Sequence, residues 1–326
     1  MFGLKKILIV GGVAGGASAA ARARRLSEEA TIVLIERGPN ISFANCGLPY
    51  HIGGDIPDRN RLLVQTPEAM RRRFRIDVRV NTEALSIDRD GRRLRLRDLL
   101  SQTDYAETYD ILILSPGAEP LRPPIPGVDL PGIFSLRSLE DMDGIQACLS
   151  ETPRTHATVV GGGFIGVEMA EALRHRGLSV TLVEMAPQLL SQLDPEMAVP
   201  VQRQMEKHGV QLRLGQAVNG FSRSEGKLRV QLTLGETLTS DLVILAIGIR
   251  PEVKLAREAG LVLGASGGIA VNEHMQTSDP AIYAVGDAVE TPDVVGGQKL
   301  VVPLAGPANR QGRIAADNAL GREQSV

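Results

Sequence analysis

Cysteine is almost absent from this chain. Only Cys46 and Cys148 occur among its 326 residues, and they stand far apart in unrelated contexts. No pair with CxxC or CxxxxC spacing exists, which excludes a zinc site built on paired cysteines and a redox dithiol of neighbouring cysteines. We therefore predict no metal site, and any thiol chemistry must rest on one cysteine.

Aromatic residues, excess charge and long apolar runs are also scarce. Aromatics make up 3% of the chain, with no tryptophan, and the formal net charge is −2. These values give no reason to expect nucleic acid or an anionic membrane as partner. The pair Lys5-Lys6 precedes an apolar run of only four residues, 7–10, which is too short for the core of a signal peptide. No stretch approaches the length of a membrane span, so we expect a cytoplasmic protein.

What is present is a β-α-β pattern at the start of the chain. Residues 6–10 predict a buried strand, 11–16 a glycine-rich turn, 17–26 a helix and 31–35 a second strand that ends at Glu36. In a dinucleotide site, glycines let the backbone approach a pyrophosphate, the helix N-terminus attracts its charge, and the acid accepts hydrogen bonds from a ribose. Val13 stands where G-x-G-x-x-G has its second glycine. Glycine turns before helices also serve packing alone, but Glu36 at the expected distance favours a nucleotide site.

The pattern restarts in the second third of the chain. A strand at 157–160 leads into Gly161-Gly162-Gly163-Phe164-Ile165-Gly166, followed by a helix at 167–176, a strand at 179–183 and Glu184. This copy satisfies G-x-G-x-x-G in full, with the acid at the expected place. The two copies also end in a similar way, because residues 241–251 resemble residues 111–120 in having an apolar run followed by a turn with glycine and proline. The sequence thus predicts an α/β protein with two Rossmann-like domains, one inserted in the other, and two different nucleotides.

Cys46 lies in the segment Ser42-Phe43-Ala44-Asn45-Cys46-Gly47, shortly after Glu36. A cysteine acts as nucleophile or redox centre only as thiolate, and the two nucleotide sites would supply its electrons. Packing in a core is the alternative for Cys46, and it fits poorly with the flanking Asn45 and Gly47. Cys148, on a predicted amphipathic helix, is interpreted as structural.

Together, the two glycine turns, Ser115-Pro116-Gly117, Ile247-Gly248 and Tyr283-Ala284-Val285-Gly286-Asp287 resemble the pyridine nucleotide-disulfide oxidoreductase family over nearly the whole chain. The resemblance implies that 1–119 and 250–326 form an FAD-binding domain and that 120–249 form an NAD(H)-binding domain inserted in it. The residues that it implies for FAD are Gly11, Gly12, Val13, Ala14, Gly16, Glu36, Arg37, Ser115, Gly117, Gly286, Asp287, Pro303 and Ala305. Those that it implies for NAD(H) are Gly161, Gly163, Phe164, Ile165, Gly166, Glu168, Glu184 and Gly248.

Within this family, the cysteine segment with Leu48-Pro49-Tyr50 resembles the single-cysteine branch of coenzyme A disulfide reductases, NADH-dependent persulfide reductases, and NADH oxidases and peroxidases. The resemblance implies a relay from NADH through flavin to Cys46, the catalytic residue, which reduces a CoA disulfide or persulfide. Oxidases and peroxidases of the branch carry Thr-His in the first glycine turn, where this chain has Val13-Ala14. Their sulfenate chemistry is the first alternative. A flavin redox sensor or electron-transfer module is the second.

Cofactor and substrate choice follow from a few side chains. The Glu184 carboxylate would repel a 2′-phosphate, and none of the next three residues is an arginine that could compensate. NADH is therefore expected over NADPH. The resemblance suggests that CoA is held by Arg22 and Arg25, with Ser42 and Asn45 at the thiol end; solvated surface arginines are the alternative. Family members also carry a further domain, on the scale of ~100 residues, that forms a homodimer interface. We expect that domain to be absent from this chain, which ends at Val326.

Overall fold

The computed structural model describes residues 5–151, 154–293 and 295–326. The chain divides into two compact units. Unit 1 comprises 1–43, 63–119 and 251–326, and unit 2 comprises 44–62 and 120–250. Both are built around a parallel sheet with helices, which confirms the predicted α/β class and its two Rossmann-like parts.

Helices and strands alternate along much of the chain. The α-helices of the described residues are α1 (Ala14–Leu26), α2 (Leu48–Gly53), α3 (Pro67–Phe74), α4 (Leu139–Glu151), α5 (Phe164–His175), α6 (Pro195–Lys207), α7 (Lys254–Glu258) and α8 (Ala305–Ala319). The strands are β1 (Lys6–Val10), β2 (Thr31–Ile35), β3 (Asp77–Arg79), β4 (Thr82–Asp88), β5 (Arg93–Asp98), β6 (Thr103–Thr108), β7 (Ile111–Leu114), β8 (Ala118–Pro120), β9 (Ile133–Phe134), β10 (His156–Val160), β11 (Ser179–Glu184), β12 (Val210–Leu214), β13 (Val218–Ser224), β14 (Lys227–Leu232), β15 (Thr237–Ser240), β16 (Leu242–Leu245), β17 (Ile249–Pro251), β18 (Ile269–Ala270), β19 (Ile282–Ala284), β20 (Val289–Pro292) and β21 (Lys299–Val301).

Unit 1 is organised by a five-stranded parallel sheet in the order β19-β7-β1-β2-β3. Ile7 of β1 pairs with Ile32 of β2 on one side and Ile111 of β7 on the other. These strands are continuous apolar runs because both faces of the sheet are covered and buried. An antiparallel sheet β4-β5-β6 belongs to the same unit, and its strands β4 and β5 form a hairpin around Asp90-Gly91.

Unit 2 repeats this arrangement with the order β12-β11-β10-β16-β9, again all parallel. Its three-stranded antiparallel sheet is β13-β14-β15. In both units the strand that precedes the glycine turn is the central one. The carboxyl ends of its neighbours therefore meet beside the turn, which is where open α/β sheets bind ligands.

Residues 44–62 lie within the range 1–119 that is predicted for the FAD-binding domain, and by their contacts they group with unit 2. The reason is that α2 packs against α5 and α4, so closely that an added Cβ on Gly53 would lie 3.2 Å from Cα of Ala172. The segment that holds Cys46 thus shares a unit with the second glycine turn.

Asp241 is a buried carboxylate directly before β16. Its Oδ2 accepts hydrogen bonds from the backbone N–H of Thr155 (2.9 Å) and of His156 (3.0 Å), and Lys227 pairs with Oδ1. Burial alone would raise the pKa of Asp241, but the Lys227 ammonium and the two N–H donors lower it to about 2. The ionised carboxylate therefore holds the start of β10 beside β16.

We expect Asp241→Asn to destabilise the protein by about 2 kcal/mol at neutral pH, because a shift of one pKa unit corresponds to ~1.4 kcal/mol. A lowered carboxyl pKa gives stability that is present above the unfolded pKa, near ~4, and is lost as pH falls through the folded value. Urea unfolding as a function of pH should show a decline between roughly pH 4 and 2. An equally steep decline in Asp241→Asn would contradict this assignment.

Candidate functional site

In the first glycine turn, the backbone after β1 lies very close to the start of α1 and to the residue after β7. Gly11 has φ +94°, and an added Cβ would lie 1.9 Å from the carbonyl oxygen of Ser115, directly after β7. A Cβ on Gly16 would lie 1.8 Å from the carbonyl oxygen of Gly11. Glycine is therefore required at both positions so that α1 can begin close to the ends of β1 and β7.

Glu36 closes this turn from the second strand. Its Oε2 accepts a hydrogen bond from the N–H of Gly12 (2.8 Å), and its Oε1 accepts one from the N–H of Gly38 (2.9 Å). The carboxylate is thus fixed at the edge of the turn by backbone donors. It retains lone pairs that a ribose could use, since each ionised carboxylate has about four acceptor positions.

The N-terminus of α1 has donors to offer. The helix begins at Ala14 behind Val13, and no side chain caps it. The first N–H groups of a helix have no partner within the helix and attract anions such as a pyrophosphate. The glycine cradle, the fixed acid and the uncapped helix fit a dinucleotide.

Other predicted FAD residues surround the same edge of the sheet. The N–H of Ser115 bonds to Val10 O (2.7 Å), and Gly286, after β19, donates its N–H to Oε1 of buried Gln311 (2.7 Å). Ala305 begins α8, which packs on α1, with Pro303 just before it. The remaining members are Gly117 and Asp287, after β7 and β19, and exposed Arg37, beside Glu83 at 3.9 Å. Sequence reasoning missed Gln311, because a glutamine inside a helix carries no motif.

The second glycine turn repeats the first. Gly161 has φ +109°, with its added Cβ 2.2 Å from the carbonyl oxygen of Ala246, and a Cβ on Gly166 would lie 1.9 Å from Gly161 O. Glu184 accepts from the N–H groups of Gly162 (2.5 Å) and Ala186 (2.7 Å). The N-terminus of α5 again lacks a side-chain cap. The glycine turn, the fixed acid and the uncapped helix of unit 2 therefore also fit a dinucleotide.

The second glycine turn has open space beside Gly163. A Cβ on Gly163 would meet nothing within 4 Å, and its backbone is extended, so the conformation does not demand glycine. Val13, at the equivalent position of unit 1, has φ −90°, which an L-residue adopts without strain, so the first motif tolerates valine. Phe164 and Ile165 are 61% and 41% exposed, which rules out core packing for Phe164. Gly248 follows β16 with φ +111°.

The similarity between the two units continues after the glycine turns and their acidic residues. Six residues after each acid, Ser42 (φ +44°) and Leu190 (φ +48°) adopt left-handed backbone and donate their N–H to Gly12 O (2.9 Å) and Gly162 O (2.8 Å). In unit 2 the chain then proceeds to α6 after four residues, 191–194. In unit 1 the counterpart of α6 is α3, and residues 44–62 are inserted before it. The cysteine segment is thus an insertion into the shared plan.

Cys46 is exposed, in a 3-10 turn (Asn45–Gly47) that runs into α2. The Ala44 N–H bonds to Leu62 O (2.8 Å), which closes the base of the insertion. Asn45 donates to the carbonyl of Arg137 (3.2 Å). Cys148 is half-buried on α4, and burial raises the pKa of its thiol. Since the thiolate is the reactive form, Cys46 is the more available nucleophile of the two.

The two arginines predicted to hold CoA have different partners within unit 1. Arg22 forms a bidentate pair with Asp317 of α8 (3.0 and 2.7 Å), and exposed Arg25 lies over the ring of Phe74, 5.9 Å from its centroid. Although three residues apart, they contact different helices. Their role toward CoA stays a prediction.

Glu168 has a neighbour that the sequence did not indicate, because it lines the same cleft as Tyr50 of α2. Burial and then the neighbouring Glu171 raise the pKa of Glu168, and the Tyr50 hydroxyl acts in the opposite direction. Among the described residues, no cluster of ligands suits a metal ion, and no helix is long and apolar enough to cross a membrane.

Comparison with known proteins agrees with this geometry. The sequence model of the family described as pyridine nucleotide-disulphide oxidoreductase matches residues 5–312. An NADH oxidase of Methanocaldococcus jannaschii is 38% identical, covering 98% of this chain and 70% of that protein. A coenzyme A disulfide reductase of Staphylococcus epidermidis is 34% identical over 98% of this chain and 71% of its own length.

The crystal structure of reduced Bacillus anthracis CoADR-RHD superposes with a TM-score of 0.97 at 51% identity, covering 99% of this chain and 58% of that one. This chain thus spans less than two thirds of that solved structure.

Proposed function

Because this chain belongs to the pyridine nucleotide-disulphide oxidoreductase family, we propose that it carries the redox centre of an FAD- and NADH-dependent reductase of CoA disulfide or CoA persulfide. The observation that carries the proposal is exposed Cys46, on an insertion that follows the first of two glycine turns in the sequence. With no second cysteine close in sequence, the other half of a redox disulfide has to come from the substrate.

The two nucleotides are assigned to the two turns by their place in the family plan. In unit 1, the uncapped N-terminus of α1 would hold the pyrophosphate of FAD and Glu36 its ribose. In unit 2, α5 and Glu184 would do the same for NADH, with exposed Phe164 beside the nicotinamide. Bound FAD would supply the two-electron chemistry that connects NADH to sulfur.

The proposed sulfur step is a thiol–disulfide exchange. The Cys46 thiolate attacks one sulfur of CoA–S–S–CoA, the S–S bond breaks, and one CoA thiolate leaves and takes up a proton. Two electrons that originate in NADH then reduce the mixed disulfide, which returns the Cys46 thiolate and releases the second CoA thiol. Overall, one disulfide, one NADH and one proton give two thiols and NAD⁺.

A second candidate function has a specific observation in its favour. The relative from Methanocaldococcus jannaschii is an NADH oxidase, and an exposed Cys46 is also open to peroxide. NADH consumption by the FAD-loaded protein with CoA disulfide, CoA persulfide, peroxide and oxygen separates the candidates. Turnover with the sulfur substrates supports the proposal, and turnover with peroxide or oxygen alone overturns it. No turnover with bound FAD reduced by NADH would indicate a sensor or an electron-transfer module.

The scarcity of cysteine also fits a cytoplasmic protein, where thiols stay reduced. We further propose a homodimer for the full-length form, as the family plan implies.

Replacing Glu184 by alanine should lower the preference for NADH over NADPH about tenfold, because the carboxylate beside the ribose repels a 2′-phosphate. The measurement is the ratio of kcat/KM for the two nucleotides. Glu36→Ala, at the equivalent position of unit 1, is the matched control and should reduce FAD retention without changing that ratio. An unchanged ratio in Glu184→Ala would contradict the assignment.

A further inference from the structure

The insertion at 44–62, which carries the proposed redox cysteine, is attached to one helix of its own unit by polar side chains. Asn45 donates from Nδ2 to the carbonyl oxygen of Arg137, two residues before α4 (3.2 Å). Near the other end of the insertion, Arg59 forms a bidentate ion pair with Asp143, in the second turn of α4. The distances are 2.8 Å from Nε to Oδ1 and 2.8 Å from Nη2 to Oδ2. The roles proposed for the glycine turns use neither contact.

The middle of the insertion is bonded to the same helix. Gln146 lies three residues after Asp143, so the two side chains share one face of α4. Its Nε2 donates to the carbonyl oxygen of His51, in α2 (3.2 Å). The start, the middle and the end of the insertion are therefore each held by α4 or by the residues directly before it. Among the three contacts the pair of Arg59 with Asp143 is the charged one, and two parallel charge-assisted bonds fix an orientation as well as a distance.

A short path leads from Arg59 to the 3-10 turn that holds Cys46. Arg59 begins a second 3-10 turn, which ends at buried Leu62. The carbonyl oxygen of Leu62 accepts a hydrogen bond from the N–H of Ala44 (2.8 Å). A Cβ added to Gly47 would lie only 2.6 Å from Cδ2 of Leu62. Leu62 thus lies against the backbone on both sides of the cysteine, whose own side chain is exposed and depends on that backbone for its position.

Resting on the proposed function, we propose that Arg59 is a positioning residue, which through its pair with Asp143 holds the turn of Cys46 in the geometry that thiol–disulfide exchange requires. The side chains of Arg59 and Asp143 are 35% and 46% exposed, so the pair restricts the turn by a modest factor rather than folding it. Without the pair the turn samples more positions, and a smaller fraction of them aligns the sulfur with a disulfide.

Hydrogen exchange and kinetics of the FAD-loaded protein test this role together. In Arg59→Gln, amide exchange at 44–47 should be about threefold to tenfold faster than in the wild type, because a half-exposed pair no longer restrains the turn. The kcat/KM for NADH-dependent reduction of CoA disulfide should fall by a similar factor. The rate at which iodoacetamide alkylates Cys46, read from the mass of its peptide, should stay within about twofold of the wild-type rate, because alkylation needs the thiolate but no alignment with a bulky partner.

Two further variants show whether the pair itself is responsible. Arg213→Gln is the matched control, because Arg213 forms a bidentate pair of similar exposure with Glu236 in the same unit. It should leave exchange at 44–47 and turnover unchanged. Asp143→Asn should reproduce the effects of Arg59→Gln, and combining the two changes should add little, because either one already removes the pair.

Four results would overturn the positioning role alone. These are unchanged exchange at 44–47 in Arg59→Gln, full additivity of the two single variants, an equal effect of Arg213→Gln, and alkylation of Cys46 that slows as much as turnover does. If the wild-type protein does not reduce CoA disulfide, the proposed function fails, and the role of Arg59 fails with it.

Discussion

Cys46→Ser should reduce NADH-dependent reduction of CoA disulfide by a factor on the order of 10³ or more, because loss of an attacking nucleophile removes the covalent route entirely. Serine is nearly isosteric, and Cys46 is exposed, so folding should be unaffected. NADH should still bleach the flavin absorbance of this variant, since electron entry does not use the thiol. Steady-state turnover and flavin absorbance are the two measurements.

Cys148→Ser is the matched control for this prediction. Cys148 is half-buried on α4, and the pKa of its thiol is raised, so it contributes little thiolate. Turnover in this variant should stay near the wild-type value. If Cys148→Ser loses activity as fully as Cys46→Ser, both sulfurs act together and a relay through a single cysteine is wrong.

The second large effect concerns two glycines of one motif. Gly161→Ala should lower the free energy of unfolding by about 3 kcal/mol or more, because φ +109° is unfavourable for an L-residue and the new Cβ would lie 2.2 Å from Ala246 O. In Gly163→Ala the new Cβ meets nothing within 4 Å. Its stability should stay within about 0.5 kcal/mol of the wild type. Its Kd for NADH should stay within about threefold of the wild-type value, because unit 1 carries Val13 at the equivalent position of a turn that is proposed to bind FAD.

Urea unfolding and a fluorescence titration with NADH measure the two quantities. The contrast between the two positions separates a glycine that the fold needs from one that it does not need. If Gly161→Ala is as stable as Gly163→Ala, the close approach of the Gly161 backbone to Ala246 is wrong.

The sheets and the turns were predictable because their determinants are local. Continuous apolar runs such as 6–10 and 157–160 became central parallel strands, since only strands covered on both faces tolerate such sequences. The acids Glu36 and Glu184 lie on the glycine turns as their spacing indicated. These features depend on sequence separations of a few tens of residues that the β-α-β unit fixes.

Features that depend on tertiary contacts were not predictable. Tyr50 and Glu168 line the same cleft although they lie more than a hundred positions apart, and no spacing rule connects them. Arg22 and Arg25 share a helix face by sequence, yet their partners are Asp317 of α8 and Phe74 of α3. The left-handed backbone at Ser42 and Leu190 also lacks a signal, because neither residue type favours it. Comparing the sequences that follow Glu36 and Glu184 at equal offsets could have revealed their equivalence.

The most direct test of the central claim is the mass of the peptide that contains Cys46. The reduced, FAD-loaded protein is incubated with CoA disulfide without NADH, quenched with acid and digested without a thiol reductant. We predict one CoA joined to Cys46 through a disulfide, and its release as free CoA when NADH is added before the quench. An unmodified Cys46 after full exposure to CoA disulfide, or an adduct that NADH does not remove, would contradict the proposed function.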